Sequence, residues 1–426
     1  MRPQELRCIR CGTGYPVGEL FTGCPRCADE GKPSNLEVRY DPDELAAAAR
    51  RAHAAAKAGA GPESMWRYLD LLPVSARNAV SLGEGATPLL AVPRLGAALG
   101  VPNLYVKDES RNPTGSFKDR LAAGAVSAAR ELGKKVVVGS SSGNAGAAVA
   151  ALAARAGLGC VMFTTAQFPL AMKTQMAVYG TRLIAAPSIK DRWSLMEAGV
   201  TRFGWFPVTV FRFPYFGSNF YGIEGYKTMG YEIADQAEKL PDHIIYPVGA
   251  GDAFSGGYKA LAEYHAAGII DTVPKMHAGE IYGPLEHSLA ENLDYVEDMP
   301  APEPSVAISV ASTLSTYQAL NVLRRTGGSA RSANNAELLT AQHDLARLEG
   351  IFVETSSALS VAVLPKLVAD GAIDPDATVV AVLTSDGLKD PQTTADQLPE
   401  IPSCGTELGS VVEILREVYQ HVDEPI

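Results

Sequence analysis

Short apolar runs rich in β-branched residues alternate with alanine-rich amphipathic stretches along most of this chain, and that alternation narrows its possible folds more than any other feature. Val136–Val138, Cys160–Thr164, Arg182–Ala185, Val208–Phe211, His243–Val248 and Thr378–Leu383 read as strands. The spacing predicts helices over Asn144–Ala156, closed by Gly157, and over Ser255–Ala267, with Gly268 beyond it. Such alternation builds α/β architecture around mostly parallel sheet. With 426 residues, 46% of them hydrophobic, the chain can bury a large core in about two to three domains. An Ala-rich helix is expected after Asp41, a loop over Met299–Ser305, and a linker over Ser403–Gly409 leading to a final helix.

Charge removes several function classes. The net charge is −11 with no Lys/Arg block, which argues against nucleic acid or an anionic membrane as the main partner. A small anionic substrate would then need a local basic pocket. The first residues, Met1-Arg-Pro-Gln-Glu-Leu6, include no apolar signal stretch, and the run Leu45–Ala60 carries Arg50, Arg51, His53 and Lys57, too charged to span a bilayer. The expectation is a cytoplasmic protein.

Four of the six cysteines sit as Cys8-x-x-Cys11, twelve residues, then Cys24-x-x-Cys27. Two such knuckles place four thiolates at tetrahedral corners, the signature of a zinc ribbon. In a reducing compartment a metal is favoured over two disulfides, and four thiolates leave no open coordination position, so a zinc here is structural. The alternative is unmetallated thiols in a flexible arm. Cys160 reads as core, Cys404 as loop, and the seven histidines fall outside every motif.

The run Asn112-Pro-Thr-Gly-Ser-Phe-Lys118-Asp-Arg120 sets a lysine in a turn where a cation serves little structural purpose. An amine that forms a Schiff base must be held still, kept partly dry and lowered in pKa, and packing beside Phe117 achieves all three. The plainer reading is a surface lysine opening a helix. The whole stretch resembles the cofactor-lysine motif of fold-type II pyridoxal phosphate enzymes, closest to the threonine synthase-like family, as does Leu82-Gly-Glu84-Gly-Ala-Thr87-Pro-Leu89. The resemblance implies the tryptophan synthase β-like fold: two open, twisted, mostly parallel sheets with flanking helices, after a zinc-ribbon-like segment over 1–40. It also implies a large cofactor-binding domain over 41–124 and 216–426, a small mobile domain over 125–215, and a homodimer.

Three further segments should meet Lys118. Gly139-Ser-Ser141-Ser142-Gly143-Asn144 joins a strand to a helix, so its amides and hydroxyls can receive an anion at a positive helix end, or it is simply a Ser/Gly turn. Matched to the family, Ser141, Ser142 and Gly143 bind the substrate carboxylate and Asn144 the phenolic oxygen of the cofactor. Gly249, Ala250, Gly251, Asp252 and Ala253 lie at a second strand-to-helix junction, where main-chain N–H groups can cradle the cofactor phosphate. Asp252 is a departure, since a carboxylate facing a phosphate is repulsive, and its side chain is expected to cap the helix. Thr384, in Val382-Leu-Thr384-Ser385-Asp386-Gly387-Leu-Lys389-Asp390, matches the family's hydroxyl at the pyridine nitrogen, which favours elimination and replacement over transamination. An Asx turn at Asp386-Gly387 is compatible with that role.

The resemblance implies that Lys118 holds pyridoxal 5'-phosphate and then acts as general base on a small amino-acid substrate. The activity it implies is conversion of O-phospho-L-homoserine to L-threonine plus phosphate. Two departures weigh against that substrate: the family's Asn-Pro-x-Arg-x-x-Gly-Gln-Lys-Thr stretch here reads Asn219-Phe220-Tyr221-Gly222-Ile-Glu224-Gly225-Tyr226-Lys227-Thr228, and its Gly-His pair is Ser385-Asp386. Lys227, Arg120 and Arg192 are the cations that could replace the arginine. The alternatives are β-replacement or β-elimination on serine, threonine or O-phosphoserine, in the manner of cysteate synthase or a dehydratase, and a catalytically silent amino-acid-binding homologue. The hydroxyl-rich stretch Ser312–Gln318 either binds a small polar group or caps a helix, and Glu354 lies at a family cleft position or merely precedes a capped helix.

Overall fold

The computed structural model describes residues 1–210, 212 and 216–419. Phe211, at the end of an expected strand, and His421 lie outside the described residues, as do 213–215 and 420–426 of the expected domain ranges. The chain forms two compact units, Met1–Asp390 and Pro391–Ile426. Described helices of the second are Pro391–Ala395 and Leu408–Glu417, the latter being the final helix expected after Ser403–Gly409.

Unbroken apolar runs supply the centre of the first unit. Its six-stranded sheet runs in the order Ala330–Ser332, Lys275–Glu280, His243–Pro247, Val379–Leu383, Leu104–Asp108 and Leu89–Ala91. Every pair is parallel except the last, where Leu89–Ala91 turns back against Leu104–Asp108. His243–Pro247 and Val379–Leu383 are buried at every position, as strands covered on both faces must be. A second, wholly parallel sheet takes Arg182–Ala185, Gly159–Thr164, Val136–Ser140 and Phe206–Pro207 in that order. Here the strand expected from Val208 lies two residues earlier, at Phe206–Pro207. Lys275–Glu280 and Leu104–Asp108 were not expected. The first reads Lys-Met-His-Ala-Gly-Glu, without a β-branched residue, and is a strand because its place in the sheet buries it.

The helix Asn144–Ala156 ends as expected with Gly157 in the left-handed region. Its counterpart covers Asp252–Ala266, starting three residues before the expected Ser255. The Ala-rich helix after Asp41 spans Pro42–Lys57. No described helix is long and apolar enough to cross a membrane.

The N-terminal segment is an antiparallel sheet of Gly14–Tyr15, Glu5–Cys8 and Leu36–Arg39. It brings the four sulfurs Cys8, Cys11, Cys24 and Cys27 within 4.8 Å of one another. Its Phe21 is buried, with ring centroids 4.9 Å from Phe206 and 5.5 Å from Phe220. The segment is therefore seated on the rest of the fold rather than a loose arm.

Helices Lys118–Glu131 and Phe220–Gln236 pack backbone to backbone because glycine removes the side chain at their crossing. A Cβ at Gly124 would lie 2.8 Å from the Tyr221 carbonyl oxygen, and one at Gly225 would overlap the Arg120 carbonyl. Beneath the crossing is a dry ion network. Arg120 donates to Glu109 at 2.7 Å and to Glu232 at 2.7 Å, and Lys107 donates to Glu232 at 2.7 Å. Thr87 Oγ1 closes it on Glu109 at 2.6 Å. Burial alone would raise the Glu232 carboxyl, yet Arg120 and Lys107 hold it down, to about 2. Arg120→Ala leaves two buried carboxylates short of a partner and should cost about 3–5 kcal/mol in denaturant unfolding. Because the folded value for Glu232 lies below the ordinary 4.5, its contribution is complete above that pH and lost as pH falls toward about 2. Glu232→Gln should flatten the stability-against-pH curve in that window.

Candidate active site

Lys118 opens its helix, and the turn before it is held from two sides. Thr114 donates its N–H at 2.7 Å and its hydroxyl at 2.5 Å to Asp119, while Gly115 adopts φ +78°, a conformation side chains resist. On the other side the Phe117 N–H donates to the Thr384 carbonyl at 2.9 Å and the Asp386 N–H to the Gly115 carbonyl at 3.0 Å. The lysine turn is thereby stitched to the end of the strand Val379–Leu383, where Thr384 follows.

The Lys118 Nζ sits 4.1 Å from the Phe117 ring centroid and 5.7 Å from that of Tyr226, two rings stacked 5.4 Å apart. Burial pushes the amine's pKa down, and the charges of Asp252 and Glu354 pull the other way. Such an amine is nucleophilic nearer neutrality than a solvated lysine.

Around it, the expected loops converge. The Ser141 hydroxyl accepts from the N–H groups of Gly143 and Gly146, both at 3.1 Å. The N-cap residue Gly143 makes no side-chain cap bond, and with the Gly146 N–H taken by Ser141 the N–H groups of Asn144 and Ala145 stay open to an anion. Asn144 Nδ2 donates to Glu354 at 2.6 Å, while its Oδ1 is buried without a partner. Turning that amide over exchanges which group is left facing the site.

In the second loop the carbonyls are tied down: Ser315 Oγ donates to the Gly249 oxygen and Thr316 Oγ1 to the Ala250 oxygen, each at 2.6 Å. Among the described residues the N–H groups of Gly249, Ala250 and Gly251 have no acceptor. They head the helix Asp252–Ala266, a backbone cradle for a phosphate. Asp252 does not cap this helix as expected. The N-cap is Gly251, and the carboxylate turns to Ser218, at 3.0 Å from its N–H and 2.6 Å from its hydroxyl, and to Gln318 Nε2 at 2.7 Å. Thr316 stands at the N-cap position of the helix Tyr317–Thr326, one of the roles weighed for this stretch, but its hydroxyl makes no cap bond and with that of Ser315 is turned to this loop. They orient the loop.

Thr384 Oγ1 lies 2.8 Å from Ser357 Oγ. Glu354 stands at the N-cap position of the helix Thr355–Ala362, which has no side-chain cap bond. Its carboxylate takes Asn144, Ser309 at 3.0 Å and, very closely, Ser385. Burial raises its pKa. Asp386 accepts the Leu388 N–H at 2.8 Å, the Asx turn that the sequence suggested. Ser357 and Ser309 were missed. The only signal for Ser357 was the hydroxyl-rich stretch after Glu354.

Two proposed replacement cations are spent elsewhere. Arg120 belongs to the buried network described above, and Lys227, fully buried, pairs with Glu224 at 2.8 Å and Glu263 at 3.1 Å. A Cβ at position 222 would lie 2.7 Å from Leu121 Cδ1 and 3.1 Å from the Leu121 carbonyl oxygen, so a larger residue there would require Leu121 to shift. Two surface clefts, of about 260 and 570 Å³, lie between 281 and 366 and between 239 and 275 and contain none of these loops.

A desolvated lysine, an orphaned amide, a row of open N–H groups and a neutral hydroxyl fit, in turn, the aldehyde, phenolic oxygen, phosphate and pyridine nitrogen of pyridoxal phosphate. The sequence profile of the pyridoxal-phosphate dependent enzymes matches residues 80–385, and the chain belongs to that family. It is 36% identical to the threonine synthase of Methanosarcina acetivorans over 402 residues, covering 93% of this chain and 95% of that one. It is 34% identical to the threonine synthase of Methanocaldococcus jannaschii over 418 residues, covering 97% and 99%. The fold is shared with maize serine racemase (TM-score 0.61, 20% identity, 79% and 93% covered) and with the processed form of tomato threonine deaminase isoform 2 (TM-score 0.62, 20% identity, 79% and 95% covered). The protein is a fold-type II, threonine synthase-like enzyme. Lys118→Ala should abolish borohydride-trapped cofactor, read by mass spectrometry of the Lys118 peptide. Asp252→Asn removes a charge that raises the Lys118 pKa, so the pH midpoint for cofactor attachment should move down.

Proposed function

We propose that the protein converts O-phospho-L-homoserine to L-threonine and phosphate. The observation that carries this reading is the desolvated Lys118 amine in a turn bonded to Thr384, with Glu354, the partner of Asn144, acting on its charge, in a chain that matches threonine synthases nearly end to end. Bound pyridoxal phosphate supplies an electron sink for negative charge at the substrate α-carbon. Gly249, Ala250 and Gly251, with the first turn at Asp252 and Ala253, hold its phosphate. Ser141, Ser142, Gly143 and the open helix end at Asn144 receive the substrate carboxylate. Lys118 removes the α-proton and is placed to return protons as phosphate leaves from Cγ and water adds at Cβ. Thr384 presents a neutral hydroxyl, which restrains charge delocalisation and favours elimination over transamination. The segment 125–215 is the small domain whose closure excludes bulk water.

Gly222 favours a second reading, β-replacement or β-elimination on serine, threonine or O-phosphoserine, because the arginine of the family stretch is absent here. Incubation of the cofactor-loaded protein with O-phospho-L-homoserine separates the two. Phosphate and threonine in equal amounts, absent in Lys118→Ala, are expected. No turnover with the cofactor spectrum intact would favour the second.

The enzyme is further proposed to be a cytoplasmic homodimer with zinc in the four-cysteine cluster. All six cysteines are free, as a reducing compartment requires. The sulfur pairs Cys8–Cys27 and Cys11–Cys24, each 3.6 Å apart, suit tetrahedral thiolates around one ion. About one zinc per chain is expected by elemental analysis, and Cys27→Ser should lower both zinc content and melting temperature.

A further inference from the structure

Phosphate departure needs a cation at the far end of the substrate, and the two buried candidates, Arg120 and Lys227, are neutralised where they stand. Arg192 is in a different state. It lies in the first turn of the helix Ile189–Phe203, half-buried, against the turn that holds Ser141 to Asn144. Its Nε donates to Ser140 Oγ at 3.0 Å and its Nη1 to Ser142 Oγ at 3.2 Å. Ser142 Oγ is in turn 2.9 Å from Thr164 Oγ1 and 3.1 Å from Thr165 Oγ1.

Every partner of this guanidinium is thus a neutral hydroxyl. Among the described residues no carboxylate lies within ion-pair distance of it. The adjacent acid, Asp191, is turned back to cap the helix with Ser188 at 2.7 Å. Burial alone lowers the Arg192 pKa, with no anion to offset it. A partly dried cation among hydroxyls is a poor resting arrangement and a good receptor for an oxyanion, because guanidinium offers two parallel N–H groups to one phosphate. The α-carboxylate already has Ser141, Ser142 and the open helix end, while the partners of Arg192 are hydroxyls alone.

We propose that Arg192 binds the phosphate on the substrate's side chain and replaces the arginine absent at Gly222. This rests on the functional reading above and names the specificity residue within it. In that role the enzyme prefers a phosphorylated amino acid over the same amino acid without its phosphate, and Arg192 carries the preference.

The test is a titration of the cofactor's visible absorption, independent of turnover, with L-2-amino-5-phosphonopentanoate and with L-norvaline, the same skeleton without the phosphonate. Wild type should bind the phosphonate more tightly. Arg192→Gln should lose about 10- to 100-fold in phosphonate affinity and leave norvaline unchanged, with Arg192→Lys recovering part of the loss. Should Arg192→Gln fail to load cofactor, the lysine variant provides the comparison, a weakened phosphonate site with norvaline unchanged. The proposal is overturned if wild type shows no preference, if the variants affect neither ligand, or if both ligands weaken equally, which would make Arg192 a carboxylate ligand or a scaffold. A phosphonate preference that depends on Arg192 without turnover of O-phospho-L-homoserine would keep this site and discard the reaction assigned above.

Discussion

The guanidinium of Arg120, clasped by two carboxylates in a fully dry setting, is the constraint on which the rest of the site depends. Two residues upstream on the same helix is Lys118. Glu109 follows the strand Leu104–Asp108, Glu232 belongs to the helix Phe220–Gln236, and Thr87 to the segment before the edge strand Leu89–Ala91. One charge therefore fixes the start of the lysine helix against three separate elements. Such a network adds little net stability over well-packed apolar side chains, but an incomplete version is strongly unfavourable, so it enforces one arrangement. A nucleophilic amine that must not wander benefits from that strictness.

A second chain of contacts reaches the site from the N-terminal segment. Asn35 Nδ2 donates to the Ser218 carbonyl at 3.1 Å and to Gln318 Oε1 at 3.3 Å, and Gln318 holds Asp252. The backbone of Asn35 is itself paired to Ile9, and that of Ser34 to Cys24, inside the cysteine cluster. The cluster is thus continuous with the support of the loop that leads into the helix Asp252–Ala266. Its distance from the chemistry in sequence hides a short path through hydrogen bonds.

Much of the fold was legible because local chemistry determined it. Buried strands such as Val379–Leu383 are unbroken apolar runs, the helix Asn144–Ala156 ends on a glycine, and the cysteine spacing gathers four sulfurs within 4.8 Å of one another. Lys275–Glu280 was not legible, since its pattern is polar and only the sheet makes it a strand. Within the site, Lys118, Asn144 and Thr384 could be named from motifs. The directions of Asp252, Glu354 and Ser315 could not, because each has a good local partner in its own turn and a better one across the chain.

The sequence by itself determined the elements, the cluster of thiols, the lysine and the kind of loops that would surround it. These follow from period, spacing and turn chemistry over a few residues. Tertiary structure alone decided which cations are free. Arg120, Lys227 and Arg192 are equally plausible on paper as partners for a phosphate, and burial beside carboxylates removes the first two. Arg192 remains because the elements packed around it present hydroxyls and no charge, and long-range neutralisation of that kind leaves no trace in local sequence.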